Sequence, residues 1–213
     1  IINPLEIKNE LPNFIFKKDN IYKIEKGVWN IDKDLIIPGD LEIMPGTKLK
    51  INDNVSIIIN GSIRALGNSS DKIIFTSSNE NTKWNGIYVN NSQKLSEISF
   101  ATFSNTKGMQ KGIMNLTGAI VFYNSDINLD NVIFSNNIAE DSLNIIESNY
   151  KLTNVIFENT ISDAFDSDYS NGYIKNINLS DVGGDGLDFS GGIVELNKIK
   201  AKNIFDKAIS AGE

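Results

Sequence analysis

The chain has 213 residues, 40% hydrophobic and 22% charged, an ordinary globular composition with ample apolar material for a core. It carries a net charge of −7, a pI near 4.7, no Cys, no His and one arginine, Arg64. This excludes disulfides, zinc–thiolate sites and every Ser-His-Asp arrangement, and it argues against nucleic acid, whose phosphates need clustered Lys and Arg.

In chain order, the sequence opens "IINPLEIKNE", with no Met, no basic n-region and no apolar h-region. It reads as a mature or excised fragment, and no run is long and apolar enough for a membrane span. Residues 1–26 are expected to form a cap over the open end of the first coil. Short alternating segments around 35–37, 41–43, 49–51 and 55–59 predict strands separated by Pro-Gly and Asn-Gly turns. "KIIFTSS" and "KWNGIYV" come next. In the second, Trp84 and Tyr88 alternate with Gly86, so both are candidates to face outward and stack on sugar rings, with inward packing the competing reading for Trp84. Residues 106–116, "TKGMQKGIMNL", are expected as a loop inserted into one coil.

From residue 129 a period near 22 emerges in several registers at once. Asn131, Asn154, Asn176 and Lys198 form one series, and Asn136, Asn159, Asp181 and Asn203 another, with Asn105 as an earlier member. Apolar positions keep step: Leu129, Leu152, Ile174 and Leu196; Val132, Val155, Ile177 and Ile199; Phe134, Phe157 and Leu179. Segments such as "INLDNVIF" and "YKLTNVIF" read as strands, and no segment has a convincing helical period. Repeats of this size, built of short strands and turns, are coils stacked about 4.8 Å apart, with aliphatics and Phe inside and Asn at the bends.

The same period governs the acids. Residues 140–213 hold 13 Asp+Glu and 6 Lys, whereas residues 1–139 hold 14 acids and 14 bases. "GGDGLDFSGG" (183–192) fits one calcium-binding nonapeptide, but the next nine residues, "GIVELNKIK", do not repeat it. Asp141, Asp163, Asp185 and Asp206 precede strands and are expected at turns. If Phe165, Leu187 and Phe189 point inward, alternation sends Asp166, Asp168 and Asp188 outward, with Asn144, Asp166 and Asp188 in one row. Carboxylates in register on adjacent strands repel by roughly 1–3 kcal/mol. A solvated acidic face, a hard cation such as calcium held by Asp166, Asp168 and Asp188, or a raised pKa on one member would each relieve this.

The order "PGTKLKI…IIINGSIRALG…DKIIFTSS…WNGIYV", with the Asn ladders, resembles the right-handed parallel β-helix of the pectate-lyase-like superfamily in secreted or surface bacterial proteins. The resemblance covers roughly residues 27–213. It implies an all-β, single-stranded right-handed parallel β-helix (a solenoid), each coil matching the sequence period, in an extracellular or cell-envelope setting. Its implied partners are a polysaccharide or an envelope protein. "AISAGE" ends in mid-coil, so further coils or another domain are expected beyond it. The superfamily spans lyases, hydrolases, epimerases and non-enzymes. A lyase would need a Lys or Arg base, yet Arg64 lies in the early coils; Lys198, Lys200 and Lys202 stand closer to the acids, with Lys198 in an Asn-ladder position that reads more simply as a surface replacement, and the absence of His removes the G-H-G element of polygalacturonase-like hydrolases. The leading expectation is therefore a non-catalytic carbohydrate-associated or structural module. The alternative is a polysaccharide-active enzyme using Asp166 with Asp188, or Asp163 with Asp185.

Overall fold

The computed structural model describes residues 11–111 and 114–212. The first ten residues of the expected cap, residues 112 and 113 of the 106–116 insertion, and Glu213 lie outside the described residues. Among the described residues there is no helix, and the strands wind into a parallel β-helix.

One wall is an eight-stranded parallel sheet. Its strands, in spatial as in chain order, are Leu35–Ile37, Ser56–Ile59, Gly86–Asn90, Gly118–Tyr123, Asp141–Ile146, Asp163–Asp168, Leu187–Ser190 and Ile209–Gly212. One inner column runs Ile37, Ile59, Val89, Phe122, Ile145, Ser167, Phe189 and Ala211. Its steps are nearly uniform except for the two longer ones, from Ile59 to Val89 and from Val89 to Phe122. Those long steps contain residues 78–85 and the expected insertion at 106–116, where Gln110–Lys111 pairs with Met114–Asn115 as a small antiparallel hairpin.

The other wall is a twelve-stranded sheet. Its first strand, Ile15–Lys18, lies antiparallel on Ile21–Ile24, and Phe14 stacks on Trp29 at 5.1 Å. In the early coils this wall is two separate strand columns. Ile21–Ile24, Asp40–Ile43 and Ile63–Leu66 form one, and Val28–Ile31, Lys48–Ile51 and Ile73–Ser77 the other, joined through residues 25–27, 44–47 and 67–72. Ser96–Ser104 pairs with both columns and fuses them. From there Ile127–Asn137, Asn149–Thr160, Asn171–Val182 and Val194–Ile204 are long strands, each bent at one residue.

That residue is left-handed: Phe100, Asn131, Asn154, Asn176 and Lys198 have φ of +46° to +61°. Asn tolerates this conformation because its side chain bonds nearby groups. Here Asn176 donates to Asn154 Oδ1 at 3.0 Å, and Asn154 donates to Asp130 at 3.1 Å. A second left-handed column holds Asn105, Asn136, Asn159, Asp181 and Asn203, as the spacing implies. A third, Asn91, Asn124, Glu147, Tyr169 and Gly191, is not visible in the sequence because five positions carry four residue types. Inside, Phe75, Phe103, Phe134 and Phe157 stack with centroids 4.6, 5.3 and 4.9 Å apart. Each buried aromatic contributes area and offset stacking, so the ladder is a main source of cohesion between coils.

Candidate acidic groove

The outer face of the eight-stranded sheet carries the acids. Phe165, Leu187 and Phe189 are buried, so alternation turns Asp166, Asp168 and Asp188 outward. One outward column runs Tyr88, Val121, Asn144, Asp166, Asp188 and Ser210. The neighbouring outward column runs Asn90, Tyr123, Ile146, Asp168 and Ser190. Tyr88 thus stands in the ladder of Asp166 and Asp188, and Tyr123 in that of Asp168. The Tyr88 hydroxyl donates to Asn90 Oδ1 at 3.3 Å.

A second acidic row borders this face. Gly118, Asp141 and Asp163 are in register, and Asp163 Oδ1 accepts the Asp185 amide at 2.8 Å. Asp185 Oδ1 in turn accepts the Lys207 amide at 2.8 Å, and its carboxylate takes the Lys207 ammonium at 3.2 Å. The fourth member of the row is therefore Lys207. Asp206, expected there from its near-repeat spacing, stands one residue off the row and bonds the Lys207 ammonium from the side at 2.6 Å. Asp163 and Asp185 thus bond the coil above, as Asp34 and Asp40 do to the amides of Ser56 and Ser62, and Asp141 and Asp163, expected at turns, are the first residues of their strands. Between the two rows lie the small buried residues Ser142, Ala164 and Gly186. The glycines of "GGDGLDFSGG" serve this close stacking: a Cβ on Gly184 would lie 2.0 Å from Asp163 Oδ1, and one on Gly186 would lie 2.6 Å from the Ala208 carbonyl oxygen.

The groups titrate apart. Burial, then the charge of Asp166, pushes Asp141 up to about 8. Burial, then Asp168 and Asp188, pushes Asp166 up to about 7. Burial also raises Asp163, helped by Asp185, Asp188 and Glu140 and opposed by the Asp185 amide. For Asp185 burial acts upward, but the bonds and charge of Lys207 outweigh it and hold the carboxyl low. At neutral pH the cluster therefore keeps protons on its inner members, which relieves the like-charge repulsion.

Asn144 is 1% exposed, and its amide donates to Asp166 Oδ2 at 2.8 Å and Asp168 Oδ2 at 3.3 Å. One amide thus holds both carboxylates. Asn144 Oδ1 and Asp141 Oδ2 are buried without a partner. Among the described residues no group of three or more His, Cys, Asp or Glu is arranged to hold a metal ion. Trp84 does not reach this surface. It is 0% exposed, and its indole N–H donates to the Ser104 carbonyl at 2.8 Å, so it packs and offers no face to a sugar. Reasoning from sequence missed the burial of Asp141, whose neighbours Thr117 and Glu140 line a cavity of about 450 Å³ beside the inserted segment.

No family model matches the chain, and no curated protein matches it. Among solved structures, the chain is similar to an aspartate-to-alanine variant of a GH87 α-1,3-glucanase catalytic domain in complex with nigerose. The TM-score is 0.55 and the identity 17%, over 86% of this chain and 34% of that one. A second structure of a GH87 α-1,3-glucanase catalytic domain with nigerose aligns at a TM-score of 0.44 and 15% identity, over 81% and 40%. The chain spans about a third of the first of these domains, and the likeness is one of fold.

Proposed function

We propose that the outer face of the eight-stranded sheet is a carbohydrate-binding surface, and that the chain is a β-helix module of a secreted or cell-envelope protein engaging a polysaccharide through it. The observation that supports this is the shared ladder: Tyr88 with Asp166 and Asp188, and Tyr123 beside them with Asp168. Four coil steps separate Tyr88 from Asp188, or about 19 Å at the strand spacing. Tyr88 and Tyr123 offer aromatic faces suited to pyranose rings, and Asp166, Asp168 and Asp188 offer carboxylates that accept hydroxyl hydrogens in charge-assisted bonds, as two patches on either side of the buried Val121 and Asn144. A related fold that holds nigerose supports a glycan as the ligand class.

Retention on a panel of insoluble polysaccharides tests the reading. We expect binding that Tyr88→Ala, and separately Asp166→Asn with Asp188→Asn, each weaken at least tenfold. Retention by no polysaccharide, or retention indifferent to both variants, overturns it.

A second reading is hydrolysis, favoured by the proton that Asp166 holds near neutral pH beside Asp188. Asp166 would protonate the glycosidic oxygen, while a neighbouring carboxylate attacks the anomeric carbon or deprotonates the water that does. Asp163 and Asp185 suit this less, since their oxygens hold the coil above. Release of reducing ends, abolished in a folded Asp166→Asn/Asp188→Asn variant, would establish an enzyme. Calcium bound by Asp166, Asp168 and Asp188 is tested alongside: millimolar calcium should raise the melting temperature of the parent and not of that variant, and no shift removes the cation.

A further inference from the structure

Three Asn-Gly pairs occur in the chain: Asn60–Gly61, Asn85–Gly86 and Asn171–Gly172. Glycine has no side chain to shield its backbone nitrogen, so at such a pair that nitrogen can reach the side-chain amide of the preceding Asn. The coils hold two of the pairs out of reaction. Asn85 is 7% exposed, and its amide donates to the Asn54 carbonyl at 2.8 Å and to Ser56 Oγ at 3.0 Å. Asn171 is exposed, but its Oδ1 accepts the Ile193 amide at 3.0 Å. The Gly172 N–H donates to the Ile193 carbonyl at 3.0 Å, so nucleophile and target are both engaged. Asn60 differs. It is exposed at the corner that follows Ser56–Ile59, and among the described residues neither its side-chain amide nor the Gly61 N–H makes a hydrogen bond. The backbone is anchored on either side, the Asn60 N–H donating to the Ile37 carbonyl at 2.9 Å and the Ser62 N–H to Asp40 Oδ1 at 2.9 Å.

We infer that Asn60–Gly61 is a self-modifying site, at which the folded chain converts an amide into a carboxylate. The Gly61 nitrogen attacks Asn60 Cγ, the bond from Cγ to the side-chain nitrogen breaks, and ammonia leaves with the Gly61 proton. The five-membered imide then takes up a water. Opening at Cγ gives aspartate. Opening at the Asn60 carbonyl carbon gives isoaspartate, in which the main chain runs through the former side chain and is a methylene longer. Both products act on the coil. Asn60 follows Ile59, the register partner of Val89, so a carboxylate there lies beside Asn90, whose Oδ1 accepts the Tyr88 hydroxyl at 3.3 Å. The added charge changes the surface next to Tyr88. The added methylene falls where Gly61 packs so closely on Gly39 that a Cβ on it would lie 2.5 Å from the Gly39 carbonyl. Between two anchored amides the longer chain cannot keep the coil step, so the isoaspartyl form is the less stable product.

The test is to hold the folded protein in mildly alkaline buffer, where the attacking nitrogen loses its proton more readily, and to follow each pair by proteolysis and fragment-ion mass spectrometry. Isoaspartate is scored by enzymatic isoaspartyl methylation. We expect the mass gain of NH2 replaced by OH at Asn60 at least tenfold faster than at Asn85 or Asn171. In concentrated guanidinium chloride, where the coils no longer hold them, the three rates should converge. Asn60→Gln, which can close only a larger and slower ring, should show no gain at that position. The isoaspartyl fraction should melt a few degrees below the parent, and Asn60→Asp, which adds the charge without lengthening the chain, close to it. Conversion of Asn60 in the folded protein no faster than that of the other two, or an isoaspartyl fraction that melts with the parent, overturns the inference.

Discussion

The early coils and the late coils reach the same cross-section by different means. Before residue 96 each bend of the twelve-stranded wall is a short loop, at 25–27, 44–47 and 67–72. After it, each bend is one left-handed residue. A loop lets the chain gain or lose residues between coils without moving the strands. A single-residue bend fixes the length of the coil and carries its register from one coil to the next. The outer face divides in the same way: aliphatic and aromatic at Ile36, Ile58 and Tyr88, amide and carboxylate from Asn144 onward. Strict spacing and acidic chemistry therefore occupy the same coils, and the first makes the second possible. Only where the register is kept do Asn144, Asp166 and Asp188 stand above one another.

The largest test of that contrast is an inserted residue. One glycine after Asn154 should displace the following strands from their ladders and abolish cooperative thermal unfolding. The same glycine between Ser69 and Ser70 should cost under about 1 kcal/mol. If both insertions are tolerated alike, the two halves do not differ as described.

A smaller effect is expected from Asn154→Ala. It forces Ala into the left-handed region and breaks the bonds to Asn176 and Asp130, for about 2 kcal/mol in a denaturant titration. Asn68→Ala, which removes an early loop cap on the amides of Ser70 and Asp71, should cost about 1 kcal/mol.

The smallest effect concerns the protons of the late coils. Asp141 and Asp166 have folded pKa values of about 8 and about 7, above the ordinary 3.8, so the native state binds more protons than the unfolded chain between these limits. Their protonated forms thus favour folding at low pH, and that contribution is lost as pH rises from about 4 to about 8. Asp141→Asn keeps the shape without the ionisation. It should flatten the fall in melting temperature across this window and raise it at pH 8 by roughly 3 °C. A variant whose pH profile matches the parent would mean that Asp141 is ionised at no cost.

This division also explains what could be read from the sequence. The late coils were legible because Asn131, Asn154 and Asn176 announce a conformation that few other residues accept, and because Phe134, Phe157 and Leu179 keep the same step. The early coils blurred because their loops vary in length and because Phe100 begins the bend column with an uncharacteristic residue. At the site, alternation alone turned Asp166, Asp168 and Asp188 outward. The place of Tyr88 in their column was hidden by unequal steps, from Tyr88 to Val121 and from Val121 to Asn144. Lys207 in place of Asp206 was a slip of one position, which spacing between like residues cannot detect. The state of Asp141 depends on Thr117 and burial beside an inserted segment, and no pattern within its own coil records that.

The acids that hold an amide of the next coil, Asp163 to Asp185 and Asp185 to Lys207, reach a single coil, and long side chains such as Lys94 to Asp40 and Lys107 to Asp53 reach two. Such a molecule behaves as a zipper. Its folding can start at any pair of coils and propagate outward, and its stability is a sum over nearest neighbours. Under tension it would come apart ring by ring, each ring releasing roughly 70 Å of chain.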